Sequence, residues 1–109
     1  LAATPDYPDA LNNLGYALLL TGQGEQAQEL YEKALKLQPD FPDALNNLGL
    51  ILGRQGDLDR AEPFFRKALQ VRAGYGEAAN NLALVLVNVA FWIPLVVFAI
   101  GVALLRWLA

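Results

Sequence analysis

Between Pro8 and Val71 the apolar residues recur with a helical period rather than an alternating one. Leu11, Leu14 and Leu18 fall at i, i+3 and i+7, and Leu45, Leu48 and Leu52 repeat that spacing. A second stripe follows each: Ala27, Leu30, Tyr31 and Ala34, then Ala61, Phe64, Phe65 and Ala68. The pattern predicts two helix pairs. Pro8 and Pro42 stand where proline is tolerated at a helix start, with Asp9 and Asp43 complementing the positive helix end. Gly22 and Gly56 punctuate the turn inside each pair, and Pro39 stops the second helix. Pro63 lies in the opening turns of its helix and predicts a local bend rather than a break.

The pairs are copies. "PDYPDALNNLG" (5–15) returns as "PDFPDALNNLG" (39–49), an offset of 34 residues, and "AGYGEAANNLA" (73–83) is a weaker third copy. "GEQAQELYEKALKL" likewise aligns with "LDRAEPFFRKALQV". The expected organisation is a first repeat over 8–41, a second over 42–75 and the first helix of a partial third over 76–90. "LAATPDYPDA" aligns with "LKLQPDFPDA", so residues 1–7 read as the end of a preceding repeat. A solenoid needs about three repeats to bury a continuous core, so at least one more is expected upstream.

A period of 34 with this pattern resembles the tetratricopeptide repeat family. The motif residues are Leu14, Gly15, Ala27, Tyr31, Ala34 and Pro39, then Leu48, Gly49, Ala61, Phe65 and Ala68, with Ala73 in place of the closing proline. The small residues let helices approach, and Tyr31 or Phe65 fills the space beside them. The resemblance implies an all-α solenoid of helix-turn-helix repeats. It also implies that the first helix of each pair lines a groove for a peptide or partner protein.

The third copy breaks off. Position 90, where the turn glycine is due, is alanine, and no second-helix signature follows. From Leu82 to Leu105 the only polar side chain is that of Asn88. Phe91 to Ala109 spans 19 residues, about 28 Å as a helix and close to the ~30 Å hydrocarbon core of a bilayer. Its eleven Leu, Ile, Val and Phe residues favour insertion by about 3–6 kcal/mol together. Trp92 and Trp107 bracket the stretch as interfacial aromatics do, Arg106 can snorkel, and Pro94 is compatible with a helix start or a kink in lipid. A single transmembrane helix over 91–109 is therefore expected, with a greasy helix buried at an interface as the alternative. Arg106 favours the repeats on the extracytoplasmic side, against Arg66, Lys67 and Arg72 at longer range. Ala99 and Ala103 are spaced to seat another membrane helix, although ordinary small residues explain them as well.

Charge and composition narrow the chemistry. The net charge of −3 gives no reason to expect nucleic acid as a partner. The chain has no Cys, His, Met or Ser, so the usual nucleophile–base pairs and thiolate metal sites are absent. Neither a catalytic centre, a metal nor a cofactor is expected. After Glu77 the only charge is Arg106.

The candidate groove residues are Asn12, Asn13, Tyr16, Asn46, Asn47, Asn80 and Asn81. A carboxamide both donates and accepts, so it can pair with an extended backbone of any sequence. Asn13, Asn47 and Asn81 resemble the asparagine ladder of the protein O-GlcNAc transferases, whose catalytic domain has no counterpart here. The alternative is polar surface or hydrogen bonds between helices. A clamp for a chaperone's C-terminal carboxylate is disfavoured, because Asn12, Tyr16, Leu50 and Leu84 stand where cations are needed and Asp9, Asp43 and Glu77 repel an anion.

The expected function is a non-enzymatic, membrane-anchored scaffold that binds a partner protein in its groove and touches lipid and other membrane-complex subunits. Two other readings stand beside it: a permanently packed structural subunit of a membrane complex, and the interaction module of a larger enzyme.

Overall fold

The computed structural model describes residues 7–109, apart from the side chains of residues 89–93 inside a helix. The tail of a preceding repeat expected over 1–7 lies outside the described residues except for Tyr7. Five helices follow in order: α1 (Pro8–Leu20), α2 (Gly24–Leu37), α3 (Pro42–Arg54), α4 (Leu58–Val71) and α5 (Gly76–Leu108). The starts of α1, α3 and α5 are spaced by the 34-residue period. The molecule is drawn out to 77 × 29 × 20 Å, because α5 runs well past the others.

Each hairpin closes the same way. The Gln23 amide donates to the Leu18 carbonyl (2.8 Å) and the Gly22 amide to that of Leu19 (3.2 Å). One period later the Asp57 amide donates to Leu52 (2.9 Å) and Gly56 to Gly53 (3.0 Å). This closure reverses the chain and satisfies carbonyls at the helix end, but it requires one left-handed residue. Gly22 (φ 80°) and Gly56 (φ 84°) supply it. A side chain there costs about 1–2 kcal/mol. Position 90 carries alanine, and α5 continues through it to Leu108.

Within each pair the helices meet at a glycine. A Cβ on Gly15 would lie 2.8 Å from Cε1 of Tyr31, and one on Gly49 2.6 Å from Cε1 of Phe65. The rings therefore lie directly on backbone, and burying each contributes on the order of 1.5–3 kcal/mol. The third copy has Ala83 in the glycine's place and Ala99 in the ring's. Both changes suit a repeat with no second helix. Its exposed Leu86 shows the consequence: it is 40% exposed, whereas its counterpart Leu52 is 1% exposed under α4.

Between repeats, α3 packs on α2 and α5 on α4. Leu45, Ala68 and Ala78 form the second junction. Leu14, read as a core position, is instead exposed: its counterpart Leu48 is covered by the preceding repeat, and no described helix lies upstream of α1. Pro63 leaves α4 unbroken from Leu58 to Val71.

The described residues do not bear out a transmembrane helix over 91–109. Among the described residues no helix is long and apolar enough to cross a membrane. The segment 91–109 is the far part of α5, not a separate helix. The side chain of Trp92 lies outside the described residues. Pro94 is inside the helix, and Arg106 is in its last turn. Trp107 is 81% exposed.

Candidate functional site

The paired asparagines of "LNNLG" face in different directions. In α1 and α3 the first one turns inward: Asn12 is buried and Asn46 has no exposed surface. The second one reaches back across the repeat junction. Asn47 Nδ2 donates to Asn12 Oδ1 at 3.2 Å, and Asn81 Nδ2 donates to Asn46 Oδ1 at 2.9 Å. Both bonds span 35 residues, one period plus one, so they set the register of neighbouring repeats. This arrangement does not show the expected ladder. Asn47 and Asn81 each spend a donor on the repeat before, and of the three rungs only Asn13 is freely exposed. Hydrogen bonds between helices, the alternative reading, are what the structure contains.

Asn12, Asn13, Tyr16 and Asn47 do come together, in a polar depression of ≈ 540 Å³ completed by Asp43, Arg72, Tyr75 and Glu77. Asn46 is packed inside, and Asn80 and Asn81 lie outside this depression. Arg72 was not a candidate from sequence. It follows α4 as the C-cap, and its Nη1 meets Asp43 Oδ1 at 3.2 Å. Its guanidinium also lies 4.9 Å above the centre of the Tyr75 ring. Tyr75 itself is held up to about 12, first by burial, then by the charges of Asp43 and Glu77 and a hydrogen bond to Asp43, with Arg72 opposing. It stays a neutral phenol at any ordinary pH and can donate to Asp43. The sequence signal for this cluster was the aromatic that precedes each first helix: Tyr7, Phe41 and Tyr75, one period apart.

A second, mainly apolar cleft of ≈ 270 Å³ lies between α3 and α5, over Gly49, Gly53 and Phe65, with Arg54 and Asn81 at its edge. No cluster of His, Cys, Asp or Glu among the described residues could hold a metal ion.

The comparisons with known proteins agree with this architecture. Tetratricopeptide repeat models match residues 21–81 and 8–33. The chain belongs to the tetratricopeptide repeat family. Among solved structures, two crystal structures of MamA share its fold with a TM-score of 0.70 and 23% identity, covering 75% and 74% of this chain. The chain spans less than half of either, 45% and 47% of their length. No curated protein matches it.

Proposed function

We propose that this chain is a non-enzymatic scaffold that seats a segment of a partner protein against α1, α3 and α5, while the far end of α5 holds it at a membrane. The observation that carries the first part is the depression between α1, α3 and the α4–α5 turn. It offers exposed carboxamide and phenol groups of Asn13 and Tyr16 beside the carboxylate of Glu77, on a repeat framework fixed by buried bonds. Such a surface suits a polar or basic segment. Nothing in it arranges a nucleophile beside a base, which favours binding over catalysis.

The second part rests on exposure. Leu95, Val96, Val97, Phe98, Ile100, Leu104, Leu105 and Leu108 are all open to solvent on one helix. That much apolar surface marks contact with lipid or with another apolar protein. Lipid is the main reading, with the repeats on the extracytoplasmic side. Permanent packing in a membrane complex is the second, favoured by exposed Leu84 and Val87 inside the repeat region.

The test is to isolate the full chain with its bound partners, then repeat with Asn13→Ala/Tyr16→Ala and with residues 91–109 removed. The first change should release the partner and leave helicity intact. The second should release the chain from membranes. A partner retained by the double variant, or a truncated chain that still sediments with membranes, would overturn the corresponding part.

A further inference from the structure

We infer that the cleft between α3 and α5 is an anchor seat for one bulky aliphatic side chain of the bound segment, followed by an acidic residue that meets Arg54. This rests on the groove reading above and names the chemistry of its occupant. One residue opens the cleft further. Gly53 sits one period after Leu19, whose side chain packs against the core in the first junction. A Cβ at Gly53 would meet nothing within 4 Å, so the space left by the missing leucine is real and open. Its walls are Leu50, Leu58, Phe65, Leu84 and Val85. Its size, ≈ 270 Å³, suits one large side chain. Its place on α3 and α5 continues the same helix face that carries the polar depression.

Charge gives the occupant a direction. Arg54 stands at the cleft's mouth, exposed, and forms no ion pair among the described residues. The opposite end of α1, α3 and α5 carries Asp9, Asp43 and Glu77, of which, among the described residues, only Asp43 is matched by a cation. From Asp43 to Arg54 along α3 is about 16 Å, or about five residues of extended chain. The segment that fits has a basic residue near Glu77 and, about five residues on, an aliphatic side chain with an acidic neighbour.

Small probes test this on the full chain, kept in solution by an amphipathic polymer so that detergent does not enter the cleft. N-acetyl-Leu-Glu-amide should shift the methyl resonances of Leu50, Leu58, Leu84 and Val85. Gly53→Leu restores the residue found at Leu19 and should weaken binding about tenfold or more, the worth of one buried leucine. It should fold, since leucine is the better helix former. Gly53→Ala leaves most of the space and should bind nearly as the parent does. N-acetyl-Leu-Lys-amide, N-acetyl-Gly-Glu-amide and the Arg54→Gln variant should each bind more weakly. Shifts unchanged by Gly53→Leu would overturn the seat. Octanoate binding there in preference to the dipeptide would assign it to acyl chains instead. A partner that survives Gly53→Leu but is lost with Asn13→Ala/Tyr16→Ala would sink the seat and leave the groove reading standing. Loss to neither would sink both.

Discussion

The second repeat and the third copy start alike and end differently. Both open with an extended aromatic, Phe41 or Tyr75, and both send the second asparagine of the pair back to the repeat before. In the second repeat the chain then turns at Gly56 and lays Phe65 over Gly49. In the third it meets Ala90 and carries on as helix to Leu108. The same first half therefore supports a closed hairpin or a projecting rod. The choice lies in three positions: the left-handed residue of the turn, the helix residue under the ring, and the ring itself. The third copy has alanine at all three, Ala90, Ala83 and Ala99. A repeat can thus become a handle by local substitutions that leave its docking face intact.

The largest effect should come from the ring. Phe65→Ala should destabilise the repeats by about 3–5 kcal/mol, read by urea or thermal unfolding. Gly49→Ala should cost about 1–3 kcal/mol by pressing a methyl into that ring. In the Phe65→Ala background it should be neutral or gain up to ~1 kcal/mol from helix propensity. That double variant reproduces the Ala83–Ala99 pair. Additive penalties would mean that the glycine is not there for the ring.

Next comes the turn. Gly56→Ala should cost about 1–2 kcal/mol, while Ala90→Gly should only weaken α5 locally, by about 1 kcal/mol, without making a hairpin. Equal and opposite effects on the two sites would break the comparison.

The junction bonds rank below this. A double-mutant cycle on Asn12 and Asn47, each changed to Ala, should return a coupling of about 1 kcal/mol. A coupling of zero would remove the register role. Replacing Asn13, Asn47 and Asn81 together should affect stability as well as binding, because two of them hold repeats together.

The smallest effect concerns Tyr31. It is fully buried, and its hydroxyl has no hydrogen-bond partner among the described residues. Phe65 does the same task without one. Tyr31→Phe should therefore be neutral or stabilising, by up to ~1 kcal/mol. Burial, with Tyr16 nearby, pushes the Tyr31 phenol up to about 12. The unfolded chain ionises near 10, whereas the folded chain resists until about 12. The phenol's contribution is thus complete below pH 10 and lost as pH rises from 10 to 12. Tyr31→Phe should flatten part of that decline, and an unchanged slope would place the titration elsewhere.

Much of this was legible in the sequence, because a repeat states its own rules twice. The glycines at 22 and 56, the stripes of Ala27, Tyr31 and Ala34, and the failure at Ala90 could all be read by superposing copies. The asparagines could not. Two adjacent residues on a helix point about 100° apart, and spacing alone does not say which one faces a neighbouring helix. The Arg72–Asp43–Tyr75 cluster was hidden for a related reason: it joins the start of one helix to the end of another, 29 residues away. Leu14 was misjudged because the stripe marks a face without saying what covers it. The cleft escaped notice because its signal is an absence, Gly53 where the first repeat has Leu19.

The central claim is that α5 passes through position 90 as one helix. The chain has no cysteine, so spin labels can be placed at Ala79→Cys and Ala103→Cys without background. A continuous helix puts those positions about 36 Å apart, and a pulsed electron spin resonance distance centred there is expected. A hairpin at Ala90 would bring them to neighbouring-helix separation, about 10 Å between axes, and a short distance of that order would contradict the account.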